Sequence, residues 1–144
     1  MKDGSQDWDA YFPIEEEVED AAGISRAFVI TCHESALGFS VRAVEKETQG
    51  FGYEFAAYSE TSPYNALGRL RQKIYRGLAT RHVTKSPHGY RMLHDKLRGR
   101  IASNGNGGVM VVVDGIPLSI DDLASILISH EGWSFDMTIS DSLE

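Results

Sequence analysis

The sequence predicts an α+β fold in which an antiparallel sheet of about five to six strands carries two main helices packed on one face. Two observations support this prediction. Short segments of strand character alternate with turn residues, and two longer segments, near 63–82 and 120–131, repeat apolar residues every three or four positions. The chain of 144 residues is 42% hydrophobic and can bury one substantial core. Residues 23–142 are therefore expected to form a single α+β domain.

The first 22 residues are strongly acidic and are expected to form a flexible N-terminal arm. Their Asp and Glu side chains far outnumber the single lysine, and like charges repel one another in a compact structure. Trp8, Tyr11 and Phe12 lie within this arm. Two interpretations stay open: a frayed terminus that covers the edge of the core, or an arm that docks on a basic surface. At the other end, residues 143–144 are compatible with a cloning scar.

Three strands are predicted after the arm, at residues 27–31, 37–45 and 53–58. In the second, Leu37, Phe39, Val41 and Ala43 alternate with polar residues and so share one face. Turn residues lie near the two breaks, which favours an antiparallel meander.

A basic helix follows these strands. Ser62 is the predicted N-cap and Pro63 occupies the first helical position, where the missing amide proton costs little. Most of the chain's 14 lysine and arginine residues fall between positions 69 and 100, although the whole chain has a formal net charge of −7. Asp95 is the one acidic residue in that segment. Positive charge is therefore concentrated in residues 69–100, and the rest of the chain is acidic.

The last third reads as strand, turn, short strand, helix and closing strand. Residues 109–113 are a β-branched apolar run, and the Asp114-Gly115 turn follows. Ser119 and Asp122 have the spacing of a capping box at the start of the second helix. Residues 134–140 alternate polar and apolar side chains, which predicts a half-buried strand, with Trp133 as a core anchor.

These residues resemble a known family. The run VDGIPLSIDDLASILISHEGWSFDMTI, with RGLATRHV and RGRI upstream, is similar to an uncharacterised bacterial domain family of unknown function. The similarity extends over about residues 64–140. It implies a small bacterial domain and carries no activity that can be transferred. The matching positions are Asp114, Gly115, Ser119, Asp121, Asp122, Glu131, Gly132, Trp133 and Phe135.

The charge division predicts a non-catalytic binding or adaptor domain with a basic surface over residues 69–100. Such a surface would contact an acidic protein or a nucleic acid, since neutralising a polyanion releases counterions. The alternative is a solvated helix face that is neutralised within the molecule. No apolar run approaches 18 residues and only one cysteine is present, so the expectation is a cytoplasmic protein with no membrane partner. The predicted contact residues are Arg69, Arg76, Arg81, Arg91, Arg98 and Arg100.

An enzyme or small-ligand domain is the second hypothesis, with a pocket near His82, His88 and His94. This hypothesis requires the histidines to converge on one another or on a carboxylate. Their spacing matches no common metal site, and no phosphate-binding loop or nucleophile elbow is present, so no metal, cofactor or catalytic residue is predicted. Cys32 and His33 are neighbours on a strand and point to opposite faces, which does not favour a nucleophile and base pair.

Overall fold

The computed structural model describes residues 8–143. It confirms a mixed α and β protein with antiparallel strands, but the strands form three sheets of four, two and three strands. The prediction of one sheet of five to six strands is therefore wrong. The chain divides into two compact units, one formed by residues 8–50, 54–79 and 140–143 and the other by residues 51–53 and 80–139. The prediction of a single α+β domain over residues 23–142 stays a prediction.

The first unit is a four-stranded antiparallel meander after a short helix, α1 (Trp8–Tyr11). Its strands lie in chain order and are β1 (Ile14–Glu19), β2 (Ser25–Ser35), β3 (Gly38–Glu45) and β4 (Glu54–Ser59). The meander agrees with the sequence prediction. Leu37 differs from it, because this residue lies in the β2–β3 turn and is exposed.

One helix covers the meander. The helix α2 (Pro63–Ala79) begins at Ser62, whose hydroxyl accepts hydrogen bonds from the N–H groups of Tyr64 and Asn65. Its buried stripe packs on the sheet face that carries Phe28 and Ile30. The stripe consists of Ala66, Leu67, Leu70, Ile74 and Leu78.

Part of the predicted acidic arm forms a strand in the described structure. Residues 1–7 lie outside the described part of the chain, and β1 pairs with β2 in the register Ile14↔Ile30 to Glu19↔Ser25. Alternate residues of β1 are half-buried, so this strand has the period of two that a sheet requires. Its carboxylates meet cations: Glu16 pairs with Arg71 on α2, and Glu15 with Lys46. These contacts offset the repulsion that the composition suggested.

The β1–β2 turn is organised by Asp20. Its carboxylate accepts hydrogen bonds from the N–H groups of Ala22 and Ile24, and from Arg26 Nε at 3.0 Å. Burial by itself raises the pKa of Asp20, but the hydrogen bonds from Ile24, Arg26 and Ala22 outweigh burial and lower this pKa from its ordinary value of 3.8. The turn is therefore stabilised by an ionised carboxylate.

The second unit contains a hairpin, a three-stranded sheet and a helix. The hairpin pairs β5 (Val83–Ser86) with β6 (Gly89–Met92), and the sheet has the order β7 (Gly99–Ser103), β8 (Val109–Val113), β9 (Ile116–Leu118). The helix α3 (Ile120–Leu127) continues as a 3₁₀ turn, Ile128–His130. The predicted capping box is confirmed: Ser119 Oγ accepts from the Asp122 N–H, and the Asp122 carboxylate accepts from the Ser119 N–H, both at 3.0 Å.

The core of the second unit lies between the hairpin, the sheet and α3. Val83, Val113, Leu118 and Ile126 are buried there. Half-buried side chains pack around them, namely Tyr90, Met92, Leu97, Val111 and Ile116.

The predicted closing strand is absent from the described structure. Residues 133–140 have no regular secondary structure and pair with none of the described strands. Trp133 is 64% exposed and Phe135 82% exposed, so the prediction of a core anchor and a half-buried strand is wrong for this chain by itself. The alternation satisfies the local requirement of a strand, but strand formation also needs a sheet edge as partner.

Candidate functional site

The basic residues of the first unit are engaged in contacts within that unit. Arg69 donates to the carbonyl oxygen of Tyr58 at 2.8 Å, and Arg76 to the Gln72 carbonyl at 3.4 Å. Arg71 Nε donates to Glu16 Oε1 at 2.9 Å. Each Lys and Arg of the first unit that the structure describes contacts a carboxylate or a carbonyl oxygen: Arg26, Arg42, Lys46, Arg69, Arg71, Lys73 and Arg76.

The basic residues of the second unit differ from these. Arg91 on β6, and Lys96 and Arg98 between β6 and β7, are exposed. Within residues 8–143, their side chains form no hydrogen bond and no ion pair. Arg81 is half-buried, and Arg100 on β7 donates to the carbonyl oxygen of Gly52 at 2.8 Å. The exposed cations of the second unit are thus available to a partner, whereas those of the first unit are engaged.

The β5–β6 hairpin sets the direction of Arg91. Directly opposite residues share a face of an antiparallel pair, so Thr84 lies beside Arg91, and Lys85 beside Tyr90. Tyr90 and Met92 pack on the core, which places Arg91 on the opposite, outer face. Lys85 Nζ lies 5.8 Å from the centroid of the Tyr90 ring, within the range of a cation–π contact.

His82 is the one predicted histidine that meets a carboxylate. Its Nδ1 lies 2.9 Å from Asp114 Oδ1, and the other carboxylate oxygen accepts hydrogen bonds from the N–H groups of His82 at 2.7 Å and Val83 at 2.9 Å. Asp114 is buried and has a φ of 55°. These contacts tie the start of β5 to the β8–β9 turn. The helix that was predicted to reach His82 ends at Ala79.

The other histidines do not converge with His82. His88 and His94 are exposed, and their rings form no hydrogen bond or ion pair within the described residues. His130, which the sequence analysis did not select, lies 3.7 Å from Asp95 through Nε2 and packs edge-on against Trp133. Among residues 8–143, no group of three or more His, Cys, Asp or Glu residues could hold a metal ion.

Cys32 lies on β2 next to His33, as the sequence predicted. Burial, together with the negative charges of Asp9 and Glu34, raises the pKa of the Cys32 thiol to about 11. The thiol is therefore protonated near neutral pH and is a poor nucleophile.

Sequence reasoning missed Asp114 as a buried hydrogen-bonding centre. The available signal was the Asp-Gly pair, because Asp tolerates a positive φ and bonds to nearby backbone N–H groups. Its partner lies 32 positions earlier, and no local pattern indicates that pairing.

None of the helices in the described part of the chain is long and apolar enough to cross a membrane.

Two family models match the chain in succession. Residues 10–79 match a domain of unknown function (DUF7686), and residues 82–144 match a second domain of unknown function (DUF7713). The predicted resemblance to an uncharacterised domain family is thereby confirmed, but two such domains match instead of one, and the division between them lies near residue 80 and not at residue 64. No curated protein and no solved structure matches the chain.

Proposed function

We propose that this protein, whose chain matches two domains of unknown function, is a non-catalytic binding or adaptor domain that contacts an acidic partner. The contact surface is placed on Arg91, Lys96 and Arg98 of the second unit. One contrast carries the proposal: these exposed cations have no anionic partner within the described residues, whereas the described basic residues of the first unit all have one or contact a carbonyl oxygen.

Unpaired cations favour a polyanionic partner for a physical reason. An internal ion pair would have to be broken or shared before a phosphate or carboxylate could bind, which subtracts from the binding energy. Free surface cations avoid that cost, and each contact with a polyanion also releases a condensed counterion. The net charge of −7 opposes binding at long range, but that repulsion is screened beyond about 10 Å at 0.1 M salt.

The remaining predicted contact residues take lesser roles in this proposal. Arg69 and Arg76 lie on α2 in the first unit and already donate to carbonyl oxygens. Arg81 and Arg100 are half-buried. We expect these four side chains to contribute general attraction, and the exposed residues of the second unit to determine affinity.

An enzyme or small-ligand site near His82 is the second candidate function. The 2.9 Å approach of His82 Nδ1 to Asp114 favours it, because a carboxylate can orient an imidazole for proton transfer. However, the same carboxylate accepts two backbone hydrogen bonds, as expected of a structural anchor. His88 and His94 are exposed without ring contacts in the described chain, so binding remains the better supported function.

The test compares two double variants of equal charge. Arg91→Gln/Arg98→Gln removes two exposed cations of the second unit, and Arg42→Gln/Lys46→Gln removes two cations of the first unit that pair with Glu54 and Glu15. Binding to mixed-sequence nucleic acid, heparin and polyglutamate would be measured for both and for the unchanged protein.

We expect the first double variant to weaken binding at least about tenfold, with the second close to the unchanged protein. Equal losses of affinity in both double variants would mean that net charge alone explains binding, which would contradict the proposed surface. Absence of binding to all three polyanions would also contradict the proposal. Binding to polyglutamate alone would identify an acidic protein as the partner. Binding to nucleic acid and heparin would identify a phosphate or sulfate polyanion.

A further inference from the structure

The segment from residue 133 to residue 139 exposes a row of large apolar side chains. Trp133, Phe135, Met137 and Ile139 are 64%, 82%, 72% and 71% exposed. Trp133 packs against the ring of His130 at a centroid distance of 4.9 Å. Four large apolar side chains exposed within seven residues differ from the singly scattered exposed residues that are normal on a protein surface, and they favour a site of interaction.

The pattern of this C-terminal apolar segment (residues 133–139) is that of a strand. Its apolar residues occupy every second position, and Ser134, Asp136 and Thr138 stand between them. An extended chain with this alternation has one apolar and one polar face. The alternation thus favours burial of the apolar face, but this face is exposed in the described chain.

We propose that the C-terminal apolar segment of one copy of this chain adds as a strand beside the edge strand β7 of a second copy. β7 is a five-residue edge strand of its sheet and pairs only with β8 among the described strands. The opposite edge strand, β9, has three residues, and Pro117 at its centre has no N–H to donate. β7 is therefore the better acceptor of the two edges.

The sheet beside β7 also offers an apolar face. Ile101 pairs with Val111, so these side chains share a face with Val109 and Val113. Val113 is buried, whereas Ile101 is 57% and Val109 51% exposed. The core face of this sheet is therefore covered at Val113 and exposed to solvent at Ile101 and Val109. A strand added at β7 would place its own apolar face beside Ile101.

Charge favours the same pairing. The C-terminal apolar segment contains Asp136 and no basic residue, and Asp141 follows it. Arg98, which is exposed, directly precedes β7. Opposite charges on adjacent strands stabilise a pairing modestly and also select its orientation.

The buried area suits a dimer. Four side chains of this size supply roughly 500 Å² of exposed surface per segment, given that large aromatic residues bury about 150–250 Å² each. Two exchanged segments would supply roughly 1,000 Å², and Ile101 and Val109 add exposed apolar area on each acceptor, which reaches the lower range of specific interfaces. Because donor and acceptor lie on the same chain, a two-fold dimer satisfies both copies at once.

Sedimentation equilibrium on the full chain from 1 to 100 µM tests this proposal. We expect a dimer, and we expect Phe135→Asp to raise the dissociation constant at least about 100-fold, since two copies of this side chain would lose their burial. The matched control is Thr138→Asp, which adds the same charge on the polar face of the segment and should remain dimeric. A monomer at 100 µM, or equal effects of the two substitutions, would overturn the proposal.

Cross-linking tests the position of the segment. In a Cys32→Ser background, protein with Ile101→Cys would be mixed with protein carrying Phe135→Cys, Met137→Cys or Ile139→Cys, and then oxidised. These three positions share one face and sample the alternative registers. We expect a disulfide between unlike chains for at least one combination, and little for Thr138→Cys. No enrichment over that control would contradict pairing at β7, even if the chain dimerises.

Discussion

Replacing Asp114 tests the anchor that joins β5 to the β8–β9 turn. In Asp114→Ala, the buried N–H groups of His82 and Val83 lose their acceptor, and the His82 ring loses its partner. Hydrogen bonds to a charged group contribute about 1.5–3 kcal/mol each, and alanine also tolerates the φ of 55° poorly. We expect a loss of about 4 kcal/mol in the free energy of unfolding, a large part of a typical total.

Two further substitutions separate the contributions at this anchor. Asp114→Asn keeps one oxygen acceptor and tolerates the positive φ, so we expect a loss of about 1–3 kcal/mol. His82→Ala removes only the ring contact and should cost about 1 kcal/mol.

Urea unfolding followed by circular dichroism measures these losses, with hydrogen exchange at the amides of residues 82 and 83 as a local readout. A loss below 1 kcal/mol for Asp114→Ala, or an equal loss for His82→Ala, would refute the reasoning. The same unfolding curves test the predicted single domain, which requires one transition for residues 23–142.

Two further predictions concern the first unit. Since the pKa of Asp20 is lowered in the folded state, its ionised form contributes stability above the unfolded value of 3.8 and this contribution is lost as the pH falls through the folded pKa. The destabilisation caused by Asp20→Asn should therefore be constant at neutral pH and should shrink below pH 3.8 in urea unfolding; a constant difference down to about pH 2 would contradict this. Gly68→Ala on α2 meets open space and should raise stability by about 1 kcal/mol, whereas Gly38→Ala, with a φ of 143° and a new Cβ 2.5 Å from a carbonyl oxygen of β4, should lower it by about 2 kcal/mol or more. Thermal unfolding checks this pair, and a stabilised Gly38 variant would refute the steric argument.

Local chemistry made much of the fold predictable. The capping box of Ser119 and Asp122 lies within one helical turn, and the cap at Ser62 needs only the next two N–H groups. The alternation in β3 likewise identified the buried face that carries Val41 and Ala43. Such features depend on neighbours in sequence, and the structure confirms them.

Local sequence patterns do not predict which residues pair when they lie far apart in the chain. The division into three sheets depends on which strand edges meet, and alternation within a strand does not encode its partner. The contact of His82 with Asp114 spans 32 positions, and the pair of Glu16 with Arg71 spans 55. The acidic composition of the first residues could not reveal that Glu16 meets Arg71.

The candidate site was predictable as a charged segment but not as a surface. Arg69 and Arg98 look alike in the sequence, yet Arg69 donates to a carbonyl oxygen, whereas Arg98 has no hydrogen bond or ion pair within the described residues. That difference arises from the fold around each side chain. The proposed contact surface therefore consists of three exposed residues, Arg91, Lys96 and Arg98, in place of the whole basic segment.

The most direct test of the proposed function is the salt dependence of nucleic-acid binding, measured by fluorescence anisotropy at several salt concentrations. If Arg91 and Arg98 contact phosphates, the double variant Arg91→Gln/Arg98→Gln should reduce the slope of log K against log salt by roughly 1.4–1.8, because each lost contact removes about 0.7–0.9. The Arg42→Gln/Lys46→Gln control should keep the slope of the unchanged protein. Equal slopes for all three proteins would contradict a phosphate-contacting surface at these residues.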